Sequence, residues 1–170
     1  TNGGRTFGPL SLNITRRYSA NPSAAVLPRA DKILLVFNDA VDKQLYSLSS
    51  DDLGRTWDPF PTPLVDNLTG TVLTGVAGPG NSVVALSDHS LLVAVYDANR
   101  QNTTMFSSVR VFKSTDNGKS WTNVSPISSP GIRMFPHLGE PSLAVLRNGV
   151  VILDSRCPDG RGFYPGPAAP

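Results

Sequence analysis

Glu140 and Arg156 stand out as residues whose chemistry is unusual for their place in the chain. They lie at the two ends of one apolar hairpin, sixteen residues apart. A carboxylate there can take or give a proton, or accept hydrogen bonds from a polar ligand. A guanidinium presents a planar fork of donors that fits a carboxylate bidentately. The same two side chains also suit a plain structural ion pair across two strands. Other reactive side chains are few. The single cysteine, Cys157, excludes an internal disulfide and reads as a small buried hydrophobe. His89 and His137 are too few and too far apart for a metal site, and His89 falls in a polar turn where it reads as solvated. No metal and no cofactor is expected.

The elements that must position this pair come from internal repeats. Ser50-Asp51-Asp52-Leu53-Gly54-Arg55-Thr56-Trp57 matches Ser114-Thr115-Asp116-Asn117-Gly118-Lys119-Ser120-Trp121, on the pattern Ser-x-Asp-x-Gly-x-Thr/Ser-Trp. A clipped copy opens the chain, with Asn2, Gly4 and Phe7 in the places of Asp, Gly and Trp. The pattern describes a tight turn. Asp accepts backbone N–H groups, Gly takes positive φ, and Trp is an apolar anchor between neighbouring units. The Asp is therefore read as structural rather than catalytic.

A second repeat lies between these turns. Pro22–Leu27, Asn81–Leu86 and Pro141–Leu146 align, each followed by a polar turn and a second apolar run. These are antiparallel hairpins. A third strand then leads into each turn motif, at Gln44–Leu48 and Ser108–Phe112. Hairpin, strand and turn make one four-stranded propeller blade. The expected fold is all-β: about three four-stranded antiparallel blades over residues 1–156, then a Pro/Gly-rich loop or tail over 157–170.

The third hairpin breaks the repeat. Two residues before its shared Ser stands Glu140, where the others have Asn21 and Gly80; at its far end stands Arg156, where the others have Asn38 and Asp97. If Arg147-Asn148-Gly149 is a three-residue turn with Gly149 left-handed, Glu140 and Arg156 are direct cross-strand partners. A two-residue Asn148-Gly149 turn puts them on opposite faces. Both lie at one edge of the sheet in either case.

Composition agrees with a globular all-β chain. Of 170 residues, 39% are hydrophobic and 16% charged, with fifteen Gly and fifteen Pro as turn punctuation. A net charge of +2, without a cluster of basic and aromatic residues, argues against nucleic acid. The longest apolar runs, Ile33–Phe37 and Leu91–Tyr96, are strand-sized and too short to span a membrane as a helix.

Together these motifs resemble the sialidase (neuraminidase) superfamily. The Ser-x-Asp-x-Gly-x-Thr/Ser-Trp turns resemble its Asp boxes. Gly139-Glu140-Pro141-Ser142 through Asn148-Gly149 to Asp154-Ser155-Arg156 is similar to its Glu…Ser-Arg hairpin, and Gly78-Pro79-Gly80-Asn81 is similar to the hairpin before it. The resemblance implies a six-bladed propeller and a retaining exo-α-sialidase acting on sialylated glycans. It implies that Glu140 is the base for a Tyr nucleophile, and that Arg156 binds the sialic acid carboxylate.

The family's Arg-Ile-Pro motif and Asp acid are expected before Thr1, and its third Arg and Tyr nucleophile beyond Pro170. Tyr164 sits in a setting unlike the family's nucleophile strand. The chain thus reads as the middle of a longer protein, inactive by itself. A non-catalytic Asp-box propeller that binds glycans or proteins is the alternative. A glycosidase with paired carboxylates fits Arg156 poorly. Sequons at Asn13, Asn67 and Asn102 favour a secreted or lysosomal protein, whereas Asn123-Val-Ser is followed by Pro126 and is the poorest acceptor.

Overall fold

The structure, a computed structural model, describes residues 19–27, 31–39, 41, 43–77, 82–96, 109–124 and 139–156. The clipped repeat at Asn2, Gly4 and Phe7, the sequons at Asn13 and Asn102, the Gly78-Pro79-Gly80 turn, His137, Cys157, Tyr164 and the 157–170 segment lie outside these residues.

Every regular element among the described residues is a β-strand. The first sheet runs β1 (Ser19–Leu27), β2 (Lys32–Asp39), β3 (Leu45–Ser50) and β4 (Thr62–Pro63), each antiparallel to the next. Pro63 is tolerated because β4 is an edge strand, where a missing N–H costs no ladder bond. In the second sheet, β5 (Val76–Ala77) and β6 (Val83–Ala85) pair with opposite ends of β7 (Leu91–Tyr96). They fill one strand position between them. Next come β8 (Val109–Ser114) and β9 (Thr122–Asn123). The third sheet is the hairpin β10 (Gly139–Val145) and β11 (Val151–Arg156). The chain is thus all-β, with two four-stranded blades and the opening hairpin of a third.

The blades stack through the two faces of their strands. β1 packs beside β6, and β10 packs beside β6 and β7. β7 reads as a continuous apolar run because both of its faces are covered. Leu91, Val93 and Val95 join Leu34, Val36, Leu45 and Phe112 in one core against the first blade. Leu92 and Ala94 point the other way, onto Leu143 of the third hairpin. Burying each Val or Leu side chain stabilises the fold by about 1.5–3 kcal/mol.

The hairpin turns follow one design. Leu86 N–H donates to Ser90 O (2.8 Å) and His89 N–H to Leu86 O (3.0 Å); Leu146 N–H donates to Val150 O (2.8 Å) and Gly149 N–H to Leu146 O (2.9 Å). Each is a three-residue loop whose last residue is left-handed, His89 at φ 67° and Gly149 at φ 84°. The three-residue alternative expected for Arg147-Asn148-Gly149 is the one the structure adopts. His89 is exposed, as its polar turn suggested.

Candidate active site

The two ends of the blades differ in kind. Ser50 pairs with Ile33 and Ser114 with Leu91, so both Ser-x-Asp-x-Gly turns project from the end that also carries the hairpin turns. Their geometry is the same in both copies. Thr56 N–H and Oγ1–H donate to the Asp52 carboxylate (2.8 and 2.6 Å), and the Ser50 hydroxyl donates to it (2.8 Å) while accepting Gly54 N–H (2.7 Å). In the second copy Ser120 N–H and Oγ–H donate to Asp116 (2.9 and 2.6 Å), and Ser114 Oγ–H donates at 2.7 Å and accepts Gly118 N–H at 2.9 Å. Gly54 and Gly118 hold φ of 86° and 88°.

These bonds hold the carboxylates in the charged form. The Thr56 hydroxyl and N–H lower the Asp52 pKa to about 2. Burial pushes the Asp116 carboxyl up, but donors from Ser120 and Ser114 outweigh it and the net shift is downward. Carboxylates committed to two or three internal donors are turn supports, not proton shuttles.

Trp121 is wholly buried in the core between the first two blades, and Asn67 N–H donates to its carbonyl at 2.7 Å. Trp57 is half-buried and packs on Phe37, Tyr46 and Leu48 of its own blade, so only one of the two anchors lies between described blades. A cavity of about 200 Å³ at this end is lined by Lys32, Leu34, Asp58, Asn117 and Lys119 among others, and no residue of the third hairpin reaches it.

Glu140 and Arg156 lie at the opposite end. There the register of β10–β11 shifts: Ser142 pairs with Asp154, but Gly139 pairs with Arg156. Glu140 and Pro141 together face Ser155, which is a β-bulge. The expectation of a direct Glu140–Arg156 cross-strand pair is therefore corrected. The turn has the required length, but the bulge moves Glu140 out of register by one residue. The signal was Pro141, since a Pro inside a paired strand marks an edge or a bulge.

The bulge has a backbone cost. Glu140 sits at φ 50°, in the left-handed region. The equivalent bulge in β1 lies between Ala20 and Ser23, with Asn21 at φ 51° before Pro22. Left-handed backbone suits Gly and is tolerated by Asn, and it costs other residues about 1–2 kcal/mol. The repeat position is occupied by Asn21, Gly80 and Glu140. Asn21 suits this backbone, and Glu140 does not. Glu140 is half-buried and Pro141 fully buried. Nothing in the backbone calls for a carboxylate at this position.

Reading the repeats for charge alone passed over a second feature of this end. Asn38, the repeat equivalent of Arg156, is only 1% exposed, and among the described residues its Oδ1 has no hydrogen-bond partner. Among the described residues, no cluster of three or more His, Cys, Asp or Glu could hold a metal ion.

A solved structure described as "Hadza microbial sialidase Hz136" matches with a TM-score of 0.54 over 81% of this chain, at 20% identity. The fold is sialidase-like. The chain spans 29% of the length of that structure. No family model and no curated protein matches the chain.

Proposed function

We propose that the chain is part of an exo-α-sialidase catalytic domain, a six-bladed Asp-box propeller that releases terminal sialic acid from glycans with retention. The observation that carries this reading is Glu140, an acidic residue in left-handed backbone at a bulge where the sister blade has Asn. Strained backbone persists where a side chain is needed, and here it sits at the end of the blades away from the structural turns. Glu140 serves as the base for a Tyr nucleophile supplied by another blade. A neutral hydroxyl approaches an anionic sugar with less repulsion than a carboxylate, but needs a base to attack. Arg156, paired through its backbone with Gly139 beside Glu140, receives the sugar carboxylate in a charge-assisted, bidentate contact. Sequons at Asn13, Asn67 and Asn102, of which Asn67 stands exposed, fit a secreted or lysosomal protein.

The test is a fluorogenic sialoside. The full-length product of the gene is expected to release the fluorophore, and Glu140→Gln to slow release by about 10²–10⁴-fold. The 170-residue chain alone is expected to give no turnover. A full-length product that binds sialosides without cleaving them would favour a non-catalytic glycan-binding propeller instead.

A further inference from the structure

We propose that the 170-residue chain binds a second copy of itself head to tail, the open face of its third hairpin stacking on the open face of the first blade of the other copy. The proposal is independent of the sialidase reading above.

The alternation along the inner strands carries it. In β1, Ser23, Ala25 and Leu27 are buried, whereas Ala24 and Val26 are exposed. The buried set lies against the second blade. Ala25 and Leu27 share a core with Val83 and Ala85 of β6, and Ser23 Oγ accepts Val83 N–H at 3.1 Å. Strand β6 is covered on both faces: Val83 and Ala85 join the first blade, and Val84 and Leu86 pack with Leu143 of the third hairpin. Strand β10 reverses the pattern of β1. Leu143 is buried against the second blade, while Ala144 and Leu146 are exposed, as is Ile152 across the hairpin from Ala144. Ser23 and Ser82 are buried at the two internal interfaces; Ser142, at the same repeat position, is only half-buried. Successive side chains of a strand point to opposite faces. The stack therefore keeps one open face at each end, and the two are opposite in kind.

The repeat makes these faces complementary. Inside the chain, Ala25, Leu27 and Leu34 of the first blade meet Val83, Ala85 and Val93 of the second. Leu34 is the cross-strand partner of Ala25, and Val93 of Val83. On the third hairpin, Ala144, Leu146 and Ile152 hold the places of the first set. On the first blade, Ala24, Val26 and Leu35 hold the places of the second set. An interface made once within the chain thus has a half free at each end, and a second copy supplies the missing half. Val26 is 59% exposed and Ile152 46%, so a lone chain leaves both in water. Exposed apolar faces at the ends of a repeat array mark protein contacts. Because unlike faces join, the contact is heterologous, and a dimer still carries one free face of each kind unless it closes.

The test is sedimentation velocity on the 170-residue chain and two variants, Val26→Lys and Ile152→Lys, each of which charges one open face. The wild-type chain is expected to shift from monomer to larger species as concentration rises. Each variant alone is expected to associate at least about tenfold more weakly, since stacking would bury an unpaired ammonium. An equal mixture of the two is expected to regain association as a one-to-one complex that grows no further. In it, the intact hairpin face of the Val26→Lys chain meets the intact first-blade face of the Ile152→Lys chain. This recovery also shows that both variants fold. If Val26→Lys associates as the wild type does, or if the mixture stays as weak as its parts, the two faces do not meet and the proposal is wrong. A wild-type chain that remains monomeric up to its solubility limit overturns it as well.

Discussion

Glu140 combines an acidic side chain with a backbone that suits Gly. The two properties can be separated by mutation. Glu140→Gly relieves the left-handed strain, and part of the gain is returned as chain entropy of the unfolded state. The expected net effect is a stabilisation of about 0.5–1 kcal/mol, with loss of sialoside turnover in the full-length product. Urea unfolding of the chain measures the first and the fluorogenic assay the second. His89→Gly is the control: the same backbone relief, in a turn at the other end, with activity intact. Destabilisation by Glu140→Gly would mean that the side chain is held in place for packing. This position was legible in the sequence, since Glu140 departs from Asn21 and Gly80 in aligned hairpins. Its geometry was only half legible. Counting from Asn148 gave the turn, but a bulge adds a residue to one strand without changing the hydrophobic pattern, and Pro141 was its only mark.

At the scale of the element, the Ser-x-Asp-x-Gly turns are expected to control stability and not chemistry. Asp116→Ala removes the acceptor for Ser114 and Ser120 and is expected to cost about 2–3 kcal/mol. Gly118→Ala fails for two reasons, a φ of +88° and a Cβ that would lie 2.8 Å from a methyl of Leu34 in the first blade. Chemical denaturation measures both. The lowered carboxylates set a pH window. Asp52 falls to about 2 through Thr56, and Asp88 to about 2 through the hydroxyl and N–H of Ser90 and the Lys113 ammonium, against an ordinary 3.8. Between those values the unfolded chain binds more protons than the folded one, so stability falls with falling pH. The urea midpoint is expected to hold above pH 4, fall towards pH 2, and fall less in Asp52→Asn. A midpoint that does not move over this range would contradict the account. These turns were legible residue by residue, because the eight residues of the motif include the donors that hold its own Asp carboxylate. What covers each Trp was not, since that depends on the neighbouring blade.

Across the whole molecule, the blades were legible from the repeat, and the break in the second inner strand was not. β5 and β6 pair with β7 in registers four residues apart, where the other two hairpins shift by one. Short segments of two and three residues carry too little periodicity to be called strands from sequence alone. The third hairpin leaves apolar surface on both strands. Leu146, Val150 and Ile152 are each more than 40% exposed, and among the described residues β11 pairs only with β10. An open apolar edge templates pairing with another strand. The isolated chain is expected to self-associate as concentration rises, and Ile152→Lys to reduce this, as read by light scattering.

The central claim is that the two ends of the blades do different work, one structural and one binding. Amide chemical-shift mapping of the chain with α-methyl sialoside tests it most directly. The predicted result is a set of saturable shifts at Gly139, Glu140, Ser155 and Arg156, with Asp52, Gly54, Asp116 and Gly118 unmoved. Shifts confined to the Ser-x-Asp-x-Gly turns, or none at all, would contradict it.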